Sequence, residues 1–274
     1  MALDPIRLRQ ICILVPELET VLDQLIEVVG LKVCYGKADL TRYGVPYTKP
    51  PAHQAAFFEK HGLASALLPV GDTFLELVTP LRSDTPAARY LERRGPGGYM
   101  VITEIGDLEP FRQRIADKGA RLAGTVGYDE YNELQLDPRD VGASILSFSL
   151  QRVGKPFDGG WYPAGKEWRE RAAAGFTAIR SAELSVRNPA EIAGKWSALI
   201  GRPFESVGET CSIALDSSTI RFVPSSDGQD RLTAIGVEMD DFADALERAQ
   251  AQGFARGSEI RIGGIAIREE KQWG

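Results

Sequence analysis

The chain has 274 residues, 43% hydrophobic and 26% charged, with a net charge of −6 and no basic block. That balance fits a globular protein of about two domains and argues against nucleic acid as a partner. No apolar run approaches the roughly 18 residues a membrane helix needs, and "MALDPIRLRQ" has no secretory apolar core, so no membrane partner is expected. Cys12, Cys34 and Cys211 form no CxxC pair. They read as small buried hydrophobes and suit a cytoplasmic protein.

In chain order, "RQICILVPELETVLDQLIEVVGLKV" predicts an apolar strand, a short acidic turn and an amphipathic helix stopped at Gly30. The Pro/Tyr/Gly-rich "YGKADLTRYGVPYTKPPAHQ" follows as a long loop. Tyr43, Tyr47 and His53 would close over a site if it is a lid; a packed surface loop is the plainer alternative. The only two histidines, His53 and His61, flank Glu59 in "HQAAFFEKHG", as a small metal group or as loop and edge residues. "ALLPVGDTFLELVTP" is a hairpin turning at Gly71 and Asp72. "YMVITEIGDLEPFRQRIADKGARLA" repeats the strand, acidic turn, helix and glycine stop, here at Gly119. "NELQLDPRDVGASILSFSL" then supplies a second hairpin turning at Asp137–Asp140.

The unit is therefore a strand, a helix and about three further strands. "QRVGKPFDGGWYPAGKEWRERAAAG" breaks the pattern as a connector, with Trp161, Tyr162 and Trp168 expected to staple two halves. A third unit starts at "IRSAELSVRNPAEIAGKWSALIGRPF" and a fourth at "RLTAIGVEMDDFADALERAQAQGF". Four such units are too few and too long for a solenoid and fit paired half-domains. The expected fold class is α+β. Tandem βαβββ units build two cup-shaped mixed sheets with helices outside: residues 1–150, a connector 151–175, and a shorter domain 176–274.

This layout resembles the vicinal-oxygen-chelate superfamily of glyoxalases, epimerases, extradiol dioxygenases and bleomycin-resistance proteins. "TFLELVTP" and "GPGGYMVITEIGDLE" carry the resemblance most specifically. It implies one divalent metal held by four strands. The matching positions here are Gln10, Glu76, Met100 and Leu146, and in the second half Ser181, Arg221, Ala234 and Ile267. Only Glu76 is an ordinary ligand, since a hard cation wants oxygen or imidazole donors. The expectation is no metal and no cofactor in either cup.

Strand alternation turns Gln10, Cys12 and Leu14 into the first cup with Phe74, Glu76 and Val78, then Met100, Ile102 and Glu104, then Ser144, Leu146 and Phe148. An apolar pocket with two carboxylates is a recipe for a small-molecule site. Glu76 is the first acid–base candidate and Glu104 the second, with a solvated carboxylate at the strand end as the alternative for Glu104. The ligand-binding set is Gln10, Cys12, Leu14, Phe74, Met100, Ile102, Leu146 and Phe148. Tyr99 faces away unless a bulge breaks the alternation. Arg93 and Arg94 are candidates for an anionic ligand end or for plain solvated charge. Glu183, Arg221 and Glu238 suggest an internal ion-pair network in the second cup.

Two functions follow. One is a lyase or isomerase acting on a small, largely apolar carbonyl or acyl compound, without metal and with Glu76 as the acid–base group. The other is a non-catalytic protein that sequesters such a compound, or a degenerate structural module. A homodimer is a further expectation.

Overall fold

The computed structural model describes residues 3–47 and 62–270. His53, Glu59 and His61 lie outside these residues. Strand β1 (Ile6–Leu14) leads through helix α1 (Leu18–Gln24) and a wider π turn (Leu25–Val29) to Gly30, which ends the helix at φ +91°. Strands β2 (Tyr35–Gly36), β3 (Leu63–Val70) and β4 (Thr73–Pro80) complete the first unit. Helix α2 (Pro86–Arg94) has no counterpart in the sequence analysis. Its apolar face is short, but its ends are well marked. Thr85 accepts a hydrogen bond from the Ala88 amide at 3.1 Å, Pro86 opens the first turn, and Gly95 closes the last. The second unit is β5 (Gly97–Ile105), α3 (Glu109–Asp117), β6 (Leu122–Gly127), β7 (Tyr131–Leu136), a single turn α4 (Pro138–Val141) and β8 (Ile145–Gln151).

After the connector, the pattern repeats. The third unit is β9 (Phe176–Val186), α5 (Pro189–Ile200), β10 (Phe204–Val207), β11 (Thr210–Ala214) and β12 (Thr219–Pro224). The fourth is β13 (Arg231–Met239), α6 (Phe242–Ala251), β14 (Ala255–Arg256), β15 (Glu259–Ile262) and β16 (Ile265–Glu269). Each half forms one eight-stranded sheet, ordered β2-β3-β4-β1-β5-β8-β7-β6 and β10-β11-β12-β9-β13-β16-β15-β14. In the first, β1 runs parallel to β4 and antiparallel to β5, and β5 runs parallel to β8. The fold is thus α+β, two mixed sheets with helices packed outside.

Alternation sorts each strand into two cores. Ile11, Ile13, Leu75, Leu77 and Val101 pack outward with Leu22, Phe111 and Ile115 of the helices. Cys12, Leu14, Phe74, Val78, Met100 and Ile102 line the concave face. Strand β8 departs from the expected parity. Leu146 and Phe148 belong to the outer core, with the Phe148 ring 4.6 Å from Phe111. Burying a side chain of that size contributes about 1.5–3 kcal/mol. Ile145, Ser147 and Ser149 face the cup instead. In "SILSFSL" both faces are buried, so hydrophobicity cannot set the parity. The buried serines go inward because polar partners wait there. In the second half, Ile267 likewise packs on the helix side, and its neighbour Arg268 turns inward to Glu183.

The halves meet along β1 and β9 in matched contacts. Ile6 and Asp216 exchange hydrogen bonds at 2.9 and 3.0 Å, and the Ile179 amide donates to Thr73 Oγ1 at 2.7 Å. The β15–β16 turn touches the start of β5 so closely that a Cβ on Gly264, at φ +83°, would lie 2.1 Å from the Pro96 carbonyl oxygen. Only glycine fits that backbone and that gap.

Candidate functional site

The first cup is built around a chain of side chains. The indole Nε1–H of Trp161 donates to Gln10 Oε1 at 2.7 Å, and Gln10 Nε2 donates to Glu76 Oε2 at 2.7 Å. An indole N–H can only donate, so it fixes which way the Gln10 amide points and turns its NH₂ toward Glu76. Trp161 comes from the connector, not from a strand. With Ala164 and Trp168 it is buried in the cup cluster, against Phe74, Tyr131 and Met100. Trp161 stacks near-parallel to Phe74 at 6.4 Å and edge-on to Tyr131 at 5.5 Å, and Trp168 meets Phe74 edge-on at 4.9 Å. The connector tryptophans therefore fill part of the first cup rather than staple the two halves.

A β-bulge between Leu8 and Gln10 puts Arg9 on the concave face beside Gln10. Its guanidinium lies over both Phe74 (5.2 Å) and Trp161 (5.3 Å) and donates to the carbonyls of Gly159 and Gly160. Desolvation and the neighbouring Arg7 bring its pKa down to about 10, against Glu104 and Asp72. Glu104 is fully buried, not solvated at a strand end. Arg7 donates to it at 2.9 Å, Arg9 Nε lies 3.4 Å away, and the Phe157 amide donates to its other oxygen at 3.0 Å. Arg9 and Glu104 thus anchor the connector by charge-assisted hydrogen bonds.

The other polar end of the cup holds residues that the sequence analysis did not select. Tyr35 packs on the cup cluster, and the Lys37 amide donates to the Ser65 carbonyl at 2.7 Å, continuing the β2–β3 pairing. Lys37 keeps accessible surface, yet enclosure by the surrounding chain lowers its ammonium below the ordinary lysine range, opposed by Glu76, Glu133 and Cys12. Two residues after Tyr35 and paired to Ser65 through its backbone, it lies on the concave side of the sheet edge. Glu133, on β7, is pushed above the usual carboxylate range by burial, against hydrogen bonds from Ser147 (2.5 Å) and Gln135 (3.1 Å). Burial first, and Glu76 next, hold the Cys12 thiol well up. The available signal was alternation in two short stretches, Tyr35 and Lys37 in "YGK", and Tyr131, Glu133 and Gln135 in "YNELQL".

The remaining candidates separate. Gln10, Cys12, Leu14, Phe74, Glu76, Met100 and Ile102 share the concave side. A register shift beside Met100 breaks the alternation, and Tyr99 joins the cup rim, edge-on to Tyr90 at 5.3 Å. Its hydroxyl is pushed up to about 12 by desolvation. Tyr43 instead donates to Asp23 on α1 at 3.0 Å, on the outside, and Tyr47 is exposed. Arg94 donates to the Asp230 carbonyl at 2.7 Å across the two halves.

The second cup is charged and largely open. Arg221 pairs with Glu270 and donates to Ser181 at 3.0 Å, Arg268 pairs with Glu183 at 2.6 Å and Glu259 at 2.9 Å, and Arg180 pairs with Glu238 at 2.6 Å. The expected network is present, with Arg268 and Arg180 rather than Arg221 as the partners of Glu183 and Glu238.

The superfamily's metal does not fit these residues. In the first cup the Gln10 oxygen that would face a cation accepts from Trp161, the β5 position is the thioether of Met100, and β8 offers the hydroxyl of Ser147 in place of the expected Leu146. In the second, the cationic Arg221 stands at a ligand position. Among the described residues, no three His, Cys, Asp or Glu side chains converge as a metal site.

No protein-family model matches the chain. It is 27% identical over 145 residues to ethylmalonyl-CoA/methylmalonyl-CoA epimerase of Cereibacter sphaeroides, covering 51% of this chain and 94% of that protein. A methylmalonyl-CoA epimerase structure from Mycobacterium tuberculosis matches 55% of this chain and 92% of its own at 19% identity and TM-score 0.43. A variant of 4-hydroxymandelate synthase from Streptomyces coelicolor superposes on 92% of this chain and 76% of its own, with TM-score 0.62 at 14% identity. That last likeness extends over both halves and shows the fold. The shared architecture is two eight-stranded cups of βαβββ units in tandem, the arrangement that the resemblance to the vicinal-oxygen-chelate superfamily implies.

Proposed function

We propose that the first cup binds a small, largely apolar carbonyl or acyl compound, and that Glu76 moves a proton at the carbon beside its carbonyl. The observation that carries this is the partly accessible Glu76 carboxylate, held by Gln10 at 2.7 Å on a strand whose other inward residues, Phe74 and Val78, are apolar. A carboxylate so placed is a general base with a fixed direction. The C–H bond breaks, its proton goes to Glu76, and the electron pair moves onto the carbonyl oxygen. We assign the return of the proton to Glu133, on β7, whose carboxyl burial raises above the usual carboxylate range. Glu104, engaged by Arg7 and the Phe157 amide, takes an anchoring role in this scheme rather than a catalytic one. Likeness to a protein named as an acyl-CoA epimerase supports proton transfer beside a thioester. The class is isomerase or lyase, without metal. Three free cysteines and, among the described residues, no helix long and apolar enough to cross a membrane are in keeping with our placing it in the cytoplasm.

The test is deuterium uptake at C2 of methylmalonyl-CoA in heavy water, followed by mass spectrometry. Glu76→Gln should abolish uptake while leaving binding within about tenfold, or about 1.4 kcal/mol. Uptake indifferent to Glu76→Gln, or binding lost on Arg221→Ala instead, would overturn the assignment. Trp161 favours a second reading. A buried indole occupying the cup suits a binding or structural module, for which Glu76→Gln changes affinity modestly and no uptake occurs.

A further inference from the structure

Besides Arg9, which anchors the connector, the first cup carries a second cation that the proton-transfer scheme leaves unused. Tyr35 pairs with Leu67 and Gly36 with Ala66 across β2 and β3. Tyr35, Leu63 and Leu67 all pack in the cup cluster. Lys37, two residues after Tyr35, and Ser65, between Leu63 and Leu67, therefore take the same concave face. The backbone contact between them, 2.7 Å from the Lys37 amide to the Ser65 carbonyl, keeps both at one edge of the cup. Lys37 acts electrostatically on Glu76, Glu133 and Cys12, which come from β4, β7 and β1. Lying on the concave face at the sheet edge, Lys37 opens on the same cup as Glu76. The Ser65 hydroxyl, 2% exposed, has no hydrogen-bond partner among the described residues. A buried hydroxyl without a partner is costly, and it points to an acceptor that arrives with a ligand.

We propose that Lys37, supported by the Ser65 hydroxyl, takes the negative charge that forms on a substrate's carbonyl oxygen in the first cup. This rests on the proton-transfer reading of Glu76. The charges balance without any added ion. Before reaction the cup holds Lys37 as ammonium and Glu76 as carboxylate. When Glu76 takes the proton it becomes neutral, and one negative charge passes to the enolate oxygen beside Lys37. The ammonium exchanges one anionic partner for another, so the site need not reorganise as the charge moves. An ammonium needs no set of His and carboxylate ligands, which explains how such a site functions with Met100 and Ser147 at ligand positions. The substrate class narrows to compounds neutral at the reacting carbonyl, with an acidic C–H beside it. A substrate carrying a full negative charge at that oxygen would compete with Glu76 for the same cation.

The probe is 2,4-pentanedione, a neutral carbon acid whose enolate absorbs in the near ultraviolet. At pH 7 the full chain should gather the enolate, giving a saturable difference band. Lys37→Met should weaken enolate binding roughly tenfold to a hundredfold, the range of a lost hydrogen bond to a charged group. Lys37→Arg should restore part of it, and Ser65→Ala should cost roughly three- to tenfold. Glu76→Gln should lose deuterium uptake yet bind the enolate at least as well, because a competing anion is gone. Circular dichroism and intact mass accompany each variant. The proposal is overturned if the wild-type chain shows no band, or if folded Lys37→Met binds the enolate like wild type. A borohydride-stable adduct on Lys37 would overturn it in favour of covalent chemistry. Deuterium uptake that survives Lys37→Met but not Glu76→Gln sinks this inference and leaves the reading of Glu76 standing. An enolate band with no uptake does the reverse.

Discussion

The two cups share a topology and differ in what closes them. In the first, the connector folds in, Trp161 and Trp168 fill part of the interior, and Arg9 and Glu104 are fully buried. In the second, Arg221 pairs with Glu270 and Arg268 with Glu183, and these side chains keep part of their surface exposed. The same sheet thus becomes a low-dielectric chamber or a solvated charged trough according to what is laid over it. Electrostatic effects are large in the first setting and screened in the second.

The largest expected effect tests that contrast directly. Glu104→Gln leaves Arg7 and the buried Arg9 short of their carboxylate and should cost about 3–5 kcal/mol, the range for breaking a buried pair. Arg268→Met removes a half-exposed partner of Glu183 and Glu259 in the second cup and should cost about 0–1 kcal/mol. Urea unfolding measures both, and equal losses would erase the distinction between the cups.

Trp161→Phe is the next step down. It keeps an aromatic ring near Phe74 but removes the N–H that holds Gln10, leaving a buried amide oxygen without a donor. The expected cost is about 1–3 kcal/mol. A neutral result would mean that the Gln10 amide finds another donor and that the indole is filler alone.

The smallest effect is one of sign. Burial raises Glu133, so its folded pKa lies above its unfolded one. Its contribution is present at low pH and is lost as pH rises from about 4.3 through the folded value. Desolvation raises Glu270 too, but hydrogen bonds from Arg221 and Ser181 outweigh it and hold the carboxyl below its ordinary range. Its contribution is present above about 4.3 and is lost as pH falls through the folded value. Hydrogen exchange corrected for intrinsic rates, between pH 4 and 7, should show β7 and β8 becoming relatively more protected on acidification and β12 and β16 less. Glu133→Gln should flatten the first trend and Glu270→Gln the second. Parallel trends in both cups would refute the assignment.

Much of the architecture was legible because it is periodic. Alternation in "RQICIL" and "TFLELV", glycine stops at Gly30 and Gly119, and fourfold recurrence determine the units, the strand faces and the concave placement of Gln10, Glu76 and Met100. The sequence also determines that the expected metal set is broken, because residue type alone disqualifies Met100. What it leaves open depends on contacts between residues far apart in the chain. The parity of β8 follows from Glu133 accepting from the Ser147 hydroxyl and Tyr131 donating to that of Ser149, which no pattern within "SILSFSL" encodes. Arg9 and Tyr99 enter the cup through register irregularities that exist only once β1 and β5 are paired. Trp161 reaches Gln10 across 151 positions of sequence, and Lys37 joins the cup edge only through the pairing of β2 with β3. Periodicity is a local property and fixes faces; burial, charge pairing and the contents of a cup are sums over distant segments, and only the tertiary structure assembles them.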